Sequence, residues 1–344
     1  MSIARHARWM VLPVMLACTP AVTAAAPLAG IRFDHNDWTI ACDNTRTCRA
    51  AGYQAEDGSS DPVSVLLTRK GGPDQPVTAE LMIGDYDQPS APSNLRLRID
   101  GQALGRLPEA SGGALTPAQT AALLKALTRD SEILVIGNDG HQWKLSDRGA
   151  SAVFLKMDEF QGRLGTPGAL MRKGKRAESS VTPALPPPRI TRVAWPTTRP
   201  ADAALGVQPA LRTALRQSVD SDSCDVLVDA EQKEPINVQR LSADKLLAST
   251  PCWMGAYNVG VGFWVINETE PYAPVLVTTG ASEGGDGMIS AAQKGRGLGD
   301  CWATESWVWD GRQFVHSAES TSGMCRLVTA GGPWDLPTLV TEVR

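Results

Sequence analysis

The sequence predicts a mainly β protein with a few short helices, arranged as two domains. Three observations favour this fold class. Glycine and proline are abundant, with 32 and 24 residues, few apolar stretches follow helical spacing, and many short stretches alternate apolar with polar residues before a turn. About 320 residues remain after an export leader, which is too long for one compact core.

Residues 1–25 have the three parts of a secretory signal peptide. A positive start with Arg5 and Arg8 precedes a short apolar run, and small residues dominate from 21 to 26. The pattern predicts export to the periplasm or the medium. The sequence MLAC at 15–18 is an imperfect lipobox, so lipoprotein anchoring through Cys18 is the alternative. No segment reaches the ~20 apolar residues of a membrane span, so the mature protein is expected to be soluble.

Charge and histidine content argue against two classes of function. The formal charge of −4 becomes −6 once Arg5 and Arg8 leave with the leader, and an acidic chain does not suit nucleic acid. Only His35, His141 and His316 then remain, and no two have the spacing of metal ligands. We therefore expect no metal and no cofactor.

The first domain, residues 31–164, is predicted to be β-sandwich-like with two covering helices. Thr116 and Gln119 form a capping box around Pro117, which opens the first helix. The second helix, over 150–161, has apolar residues at helical spacing and ends before a glycine. Alternation predicts strands at 38–42, from 48 onward, and at 63–69, 78–83, 95–99, 133–136 and 141–145.

A proline-rich linker, residues 165–201, follows the first domain. Its three consecutive prolines at 186–188 predict an extended, semi-rigid segment that holds no sheet ladder. The second domain, residues 202–344, is predicted to be β-rich, with one short helix at 209–217 and another that opens at 242–247 and ends near 251–252. Its strands are expected at 262–266, 274–278, 306–309, 313–316 and 337–343.

Residues 305–315, ESWVWDGRQFV, give the clearest local prediction. A two-residue turn at Asp310-Gly311 between alternating strands pairs Trp309 with Arg312. That register places Trp307, Trp309 and Arg312 on one face, with the guanidinium group close enough to lie over an indole ring.

Six cysteines lie outside the leader, an even set in a chain addressed for export. This combination predicts three structural disulfides. Two of the cysteines staple one hairpin of the first domain. The other four allow three pairings, and we predict the pairing of neighbours because it closes the smaller loops. The predicted bonds are Cys42–Cys48, Cys224–Cys252 and Cys301–Cys325.

Four segments resemble an uncharacterised family of exported proteobacterial proteins, known only as a domain of unknown function. They are FDHNDWTIACDNTRTCRA at 33–50, LRIDGQALG at 97–105, MDEFQGRLG at 157–165 and KGRGLGDCWATESWVWD at 294–310. The resemblance covers nearly the whole mature chain. It supplies no activity and no site residues.

The first half is also similar to the invasion-associated locus B family of periplasmic β-sandwich proteins. The shared elements are Asp37-Trp38 ahead of Cys42, the segment 99–101, and a helix after a late hairpin. This resemblance implies a β-sandwich fold and an envelope location, and it supplies no catalytic residues.

Candidates for catalysis are few. Asp300, Glu305 and Asp310 cluster in sequence beside tryptophans, and glycoside hydrolases use paired carboxylates in such surroundings. Several serines follow His316, but no G-x-S-x-G elbow is present. The glycine-rich run 295–300 lacks the flanking elements of a phosphate loop and indicates a tight turn. The alternative function is therefore an envelope hydrolase acting on glycan or peptide, through carboxylates near Asp300 or a Ser–His pair at His316.

Tryptophan is the residue type that favours binding. Six tryptophans lie in the second domain, and an exposed set would suit a glycan or a protein partner. A core position explains most of them more simply. The sequence predicts an exported envelope protein without enzymatic activity that binds an envelope protein or a glycan. The candidate binding surface comprises Trp302, Trp307, Trp309, Arg312 and Asp300.

Overall fold

A computed structural model describes residues 28–84, 94–108, 112–229, 231 and 233–344 of the chain. The described residues form 21 β-strands in five sheets and five short α-helices, which confirms the predicted mainly β fold. The predicted leader, with Cys18, lies outside them. No helix in the described part is long and apolar enough to cross a membrane.

The first region, residues 31–164, is built from two antiparallel sheets and two helices. The strands are β1 (Ile31–His35), β2 (Trp38–Cys42), β3 (Cys48–Tyr53), β4 (Val63–Arg69), β5 (Val77–Ile83), β6 (Arg96–Ile99), β7 (Gln102–Arg106), β8 (Gly112–Ala114), β9 (Ile133–Ile136) and β10 (Gln142–Leu145). The helices are α1 (Pro117–Ala126) and α2 (Ala150–Phe160). One sheet has the order β1-β2-β3-β4-β5-β8 and the other has the order β10-β9-β6-β7.

Both sheets and both helices of the first region share one apolar core. Trp38 from β2, Leu97 from β6 and Phe154 from α2 are all fully buried in it. The predicted capping box opens α1: Gln119 N donates to Thr116 Oγ1, and Thr116 N donates to the Gln119 side chain. Alternation along the strands thus brings one face of each sheet to a common interior.

The second region, residues 200–344, contains two further sheets. The connecting segment 165–199 carries β11 (Arg189–Ile190). The helices are α3 (Pro200–Ala204), α4 (Pro209–Arg216) and α5 (Asp225–Val228). The strands are β12 (Asn237–Arg240), β13 (Lys245–Met254), β14 (Val259–Asn267), β15 (Val275–Ala281), β16 (Glu283–Gly285), β17 (Met288–Lys294), β18 (Trp302–Trp309), β19 (Phe314–Thr321), β20 (Leu336–Leu339) and β21 (Glu342–Val343). β12–β15 form one antiparallel sheet in that order and β16–β20 form another.

The sheet β12–β15 has a core on each face. Leu211 of α4, Leu227 of α5 and Trp264 of β14 form the core on one face. Phe263 of β14 and Ile289 of β17 belong to the core on the other face, where the sheet β16–β20 packs. The second region therefore has three layers with two separate cores.

Residues 242–247 do not form the predicted helix. Ser242 instead closes a turn, in which its Oγ accepts a hydrogen bond from Lys245 N at 3.1 Å, and β13 begins there. Leu246 and Leu247 enter the cores on opposite faces of the sheet. This is the alternation of a strand, whereas a helix would have placed both leucines toward one side.

The hairpin between β18 and β19 has a different register from the prediction. Trp309 pairs with Phe314 rather than with Arg312. The carboxylate of Asp310 accepts hydrogen bonds from the backbone N–H groups of Arg312 and Gln313, both at 2.8 Å. These bonds hold a turn longer than two residues, because an aspartate side chain competes for the backbone donors. Arg312 lies in that exposed turn and not over an indole ring.

The connecting segment packs along the first region. Leu185 N donates to Thr45 O at 3.1 Å, and Arg46 Nη1 donates to Pro183 O at 2.8 Å. The prediction that this segment holds no sheet ladder is wrong at β11, which pairs in parallel with β21. β11 follows the run of prolines, and both its residues keep the backbone N–H that a ladder needs.

Residues 324–340 return to the first region and cover the outer face of its six-stranded sheet. Val328 and Leu336 are buried there against Ala51 and Tyr53. The Tyr53 hydroxyl accepts a hydrogen bond from Met324 N at 3.1 Å, and burial raises the pKa of Tyr53. The two regions therefore share an interface, and their division into separate domains by a linker at 165–201 stays a prediction.

Three disulfides join Cys42 to Cys48, Cys224 to Cys252 and Cys301 to Cys325. The first closes the β2–β3 hairpin, where the two cysteines are direct ladder partners. The second ties the start of α5 to β13. The third ties the glycine-rich turn ahead of β18 to the segment that follows β19.

Candidate ligand-binding cleft

Trp307 and Trp309 of the predicted binding surface lie in a core. They pack between the two sheets of the second region with Phe263 and Ile289. Trp309 is fully buried and Trp307 is 9% exposed. Since Arg312 lies in an exposed turn, the structure does not bring these three residues together on an open face.

Asp300 is fully buried beside the third disulfide and is held by protein groups. Arg296 donates two hydrogen bonds to its carboxylate, at 2.7 and 2.5 Å, and Leu327 N donates a third at 2.8 Å. Burial acts to raise the pKa of Asp300, but these hydrogen bonds outweigh it and lower the pKa below its ordinary value. An enclosed and ionised carboxylate is poorly suited to general acid catalysis.

The same carboxylate lies close to the sulfur atoms of Cys301 and Cys325. Three such ligand atoms near one another are the start of a metal site. Here the two sulfurs are bonded to each other, and only a free thiolate binds a metal ion strongly. The cluster is therefore a structural anchor.

Trp302, the remaining member of the predicted surface, lines a cleft together with Trp334. The cleft has a volume of about 310 Å³. Trp302 opens β18, and Trp334 lies in the loop before β20; both side chains are half-buried. The volume is at the lower end of small-molecule sites, which span roughly 300–1,000 Å³.

The carbonyl of Gly299 joins the Trp302 ring to the segment that carries Trp334. It accepts hydrogen bonds from Trp302 Nε1 at 3.0 Å and from Gly331 N at 2.8 Å. Gly299 has a φ of 71°, in the region that favours glycine, so the turn is built for this residue. The Trp334 ring is held by a separate contact, in which its Nε1 donates to Ser64 Oγ at 2.7 Å. Because both indole N–H groups have protein partners, the rings offer the cleft mainly apolar surface.

Hydroxyl and carboxylate groups complete the lining of the cleft. Thr304 and Ser320 are partners across the β18–β19 pair. Ser320 Oγ is hydrogen-bonded to the carboxylate of Asp335, which is exposed. Ser322 Oγ accepts a hydrogen bond from the backbone N–H of β18 at 2.8 Å. The cleft thus combines apolar ring surface with groups that donate and accept hydrogen bonds.

One charged side chain lines the cleft, and a charge of opposite sign lies close to one of its rings. Asp335 supplies the negative charge among the lining residues. Lys294 Nζ lies 5.4 Å from the centroid of the Trp302 ring, within the range of a cation–π contact.

A serine–histidine pair does not form at His316 in the described part of the chain. The Ser317 hydroxyl donates instead to Ser306 O at 3.0 Å. His316 stacks on Trp307, with ring centroids 5.2 Å apart, and its Nε2 lies 3.4 Å from Glu305 Oε2 without the alignment of a hydrogen bond. A histidine in this setting has no hydroxyl to activate.

A wider groove of about 820 Å³ lies beside α4. Its lining includes Ala210 and Thr213 of α4 and the segment 270–275. Tyr272 is the one aromatic residue among those that line it, and it is buried. Size alone therefore does not make this groove the better candidate, because it lacks paired aromatic rings beside convergent polar groups.

The sequence prediction omitted Trp334, Ser320 and Asp335 from the candidate surface. The signal for Trp334 is its position after Gly331-Gly332-Pro333, a turn sequence that places the next side chain at the surface. Its partner in the cleft lies far away along the chain, so only the contact through Gly299 reveals that the two rings share one site.

Comparison with known proteins gives a family without an assigned activity. A family model described as "Protein of unknown function (DUF1176)" matches residues 32–341, which include nearly all of both regions and the whole cleft. The chain belongs to this family. The predicted membership of an uncharacterised family is confirmed, whereas the likeness of the first half to the invasion-associated locus B family stays a prediction.

One relative of this DUF1176 protein is "Uncharacterized protein YpfG" of Escherichia coli (strain K12). The two are 27% identical over 304 residues, which cover 81% of this chain and 84% of the relative. No solved structure matches the chain. The site itself is therefore the basis for a functional proposal.

Proposed function

We propose that this DUF1176 protein is an exported envelope protein that binds a glycan in the Trp302–Trp334 cleft and performs no reaction on it. The observation that carries the proposal is the cleft itself, in which two half-buried indole rings meet a set of hydroxyl groups. The three disulfides support export, because such bonds persist in oxidising compartments.

The chemistry of the cleft matches that of a sugar chain. A sugar ring presents C–H groups on its faces and hydroxyl groups around its edge. The rings of Trp302 and Trp334 offer apolar surface to the faces, since their N–H groups are already paired. Ser320, Thr304 and Asp335 offer donors and acceptors to the edge. The opposite charges of Lys294 and Asp335 favour a neutral glycan over a strongly charged one.

Binding without hydrolysis follows from the carboxylates near the cleft. Glycoside hydrolases use two carboxyl groups on opposite sides of the scissile bond. Asp335 is the one carboxylate among the residues that line the cleft. The neighbouring Asp300 is fully buried and bound by Arg296, so it does not supply the second group.

The proposal is tested by screening the mature protein against an array of neutral and charged oligosaccharides. Isothermal titration with the best neutral ligand then measures the affinity. Trp302→Ala should weaken binding about 30-fold, because an aromatic anchor in a binding site contributes about 2 kcal/mol or more. Trp253→Ala is the matched control, since it removes a half-buried tryptophan outside the cleft and should leave the affinity unchanged.

A second pair of variants tests the polar edge of the cleft. Asp335→Asn should weaken binding about tenfold by removing a charged acceptor. Asp244→Asn is its control, because Asp244 accepts a similar hydrogen bond from Ser242 Oγ, at 2.9 Å, away from the cleft. The proposal fails if no oligosaccharide binds or if Trp302→Ala binds like the wild type. If the cleft bound a protein and no glycan, the protein would still be a binding protein, but the proposal that its ligand is a glycan would be refuted.

A further inference from the structure

A second cavity, with a volume of about 630 Å³, lies where the two regions meet the connecting segment. We refer to it as the junction cavity. Its walls come from residues 28–29 ahead of β1, residues 188–191 around β11, the β18–β19 hairpin and residues 339–341. The volume lies well within the range of small-molecule sites, roughly 300–1,000 Å³.

The junction cavity has a largely aliphatic lining. Leu28, Ile190, Val315 and Leu339 line it from four separate parts of the chain. Ile190 is buried, and the other three side chains are half-buried. Aliphatic side chains attract apolar ligands because burial of both surfaces releases water.

The polar side chains of Asn44 and Thr341 also line the junction cavity, but they are already paired. Asn44 Nδ2 donates to Val340 O at 3.0 Å, and Asn44 Oδ1 accepts from Val340 N at 2.8 Å. Thr341 Oγ1 donates to Ser317 O at 2.8 Å. A ligand gains little from polar groups that would have to leave protein partners first.

The ionisable side chains of the junction cavity make contacts within the protein. Arg189 Nε lies 2.9 Å from Glu342 Oε2 at the exposed edge. The carboxylate of Asp310 accepts two backbone hydrogen bonds in its own turn, and the His316 ring stacks on Trp307. An uncharged chain would displace none of these contacts.

We propose that the junction cavity binds one aliphatic chain, whose polar head stays at the exposed edge beside Arg189 and Thr191. A fatty acid and a lysophospholipid carry this same chain, and their different heads allow the source to be identified. The walls come together only when the two regions dock and β11 pairs with β21. Occupancy should therefore stabilise this junction, since a ligand that binds only the folded arrangement favours it.

The probe for the test is N-phenyl-1-naphthylamine, whose fluorescence rises in apolar sites, added to the full mature chain. We expect saturable binding that is reversed by dodecanoate and by the lysophosphatidylcholine of the same chain length, both below their micelle concentrations. Displacement by only one of the two identifies the source of the chain. Failure of the probe to bind, or of both lipids to displace it, would overturn the proposal.

Three substitutions to tryptophan locate the probe. Ala29→Trp and Thr191→Trp add bulk at exposed positions that line the junction cavity, and each should weaken probe binding at least tenfold. Ala210→Trp adds the same bulk in the groove beside α4 and is the matched control, with wild-type binding expected. Loss of binding in the control alone would assign the probe to the other groove and refute the proposal. Ala29→Trp should still bind oligosaccharide, so this proposal and the glycan proposal fail separately.

Discussion

The first and second regions each bury an arginine completely or nearly so, Arg163 and Arg240, and the partners of these two side chains differ. Arg163 of the first region is fully buried and donates mainly to neutral oxygens, including Gln161 Oε1 at 2.9 Å. It meets one carboxylate, that of Glu178, at 3.0 Å. The pKa of Arg163 is lowered, because burial penalises the cation more than Glu178 stabilises it.

Arg240 of the second region is enclosed by two carboxylates. It donates to Asp202 and to Glu268, each through two nitrogen atoms. Hydrogen bonds to these two groups raise the pKa of Arg240. Asp202 belongs to α3 and Arg240 to β12, so the ionic cluster ties the start of the second region to its sheet.

The difference matches the way in which each region is built. The first region has one continuous core between its two sheets, and oxygens of the backbone and of an amide side chain accommodate its buried Arg163. The second region divides its apolar residues between two cores and adds ionic and long covalent ties. The second region should therefore depend more on specific polar and disulfide contacts than the first.

The largest effect is expected from Asp202→Ala. Removal of the Asp202 carboxylate leaves Arg240 buried with Glu268 as its remaining carboxylate partner. Breaking a buried ion pair in this way lowers the free energy of unfolding by about 3–5 kcal/mol. Glu178→Ala, in the connecting segment, removes the carboxylate partner of Arg163 and should cost only about 2 kcal/mol, because Arg163 keeps its neutral partners. Urea unfolding of both variants measures the two costs. Equal costs would show that the two arginines are held in the same way.

A smaller difference is expected between the disulfides of the two regions. Cys224 and Cys252 are separated by 28 positions in the chain, and Cys42 and Cys48 by 6. If loop closure in the unfolded chain dominates, replacing Cys224 and Cys252 by alanine costs about 3.6 kcal/mol and replacing Cys42 and Cys48 about 2.4 kcal/mol. Urea unfolding under oxidising conditions compares the double variants. A larger loss for the Cys42–Cys48 variant would contradict the greater dependence of the second region on its bridges.

The smallest effect is expected from acid. Hydrogen bonds from Arg240 lower the pKa of both Asp202 and Glu268, so the stability they provide is lost as pH falls below their ordinary values of 3.8 and 4.5. In the first region, burial raises the pKa of Asp158. Protonation of this carboxylate in acid therefore removes the free-energy cost of burying its negative charge. Burial acts to raise the pKa of Glu178 too, but hydrogen bonds outweigh it and lower the pKa, which opposes the effect of Asp158.

Hydrogen–deuterium exchange, corrected for the intrinsic pH dependence of exchange, resolves the two regions in one experiment. Between pH 5 and pH 3, protection should fall further in β12–β15 than in β1–β5. Asp57 and Asp100 in the first region also have a lowered pKa, because their carboxylates accept hydrogen bonds from Ser59 and from Glu132 N, respectively. Both carboxyls are solvent-exposed, so screening keeps their contribution small. Earlier loss of protection in β1–β5 would contradict the comparison.

Local patterns were sufficient to predict much of the fold. The predicted strands at 63–69 and 133–136 have the bounds of β4 and β9, and the capping box at Thr116 opens α1 as expected. These elements are encoded by neighbouring residues, through alternation or through side-chain caps. The prediction at 242–247 failed because Leu246 and Leu247 serve two different cores, and the position of those cores is a tertiary property.

The candidate site was less accessible from sequence. Of the predicted tryptophans, Trp302 lines the cleft, but Trp307 and Trp309, close by in the chain, are core residues. Alternation indicates which tryptophans share a face, and it does not indicate whether another sheet covers that face. The segment that carries Trp334 is joined to the cleft by the hydrogen bond from Gly331 N to Gly299 O, so no local pattern marks Trp334 as a partner of Trp302.

The segment 324–340 has a consequence for the order in which the fold can be completed. Ala51 and Tyr53 are covered by Val328 and Leu336, which follow most of the second region in the chain. The outer face of the first sheet therefore stays open to solvent until this distant segment docks. A variant cut before residue 324 would keep this apolar face uncovered and should aggregate. The sheet that comes first along the chain thus takes its outer cover from residues that lie beyond the second region's disulfides.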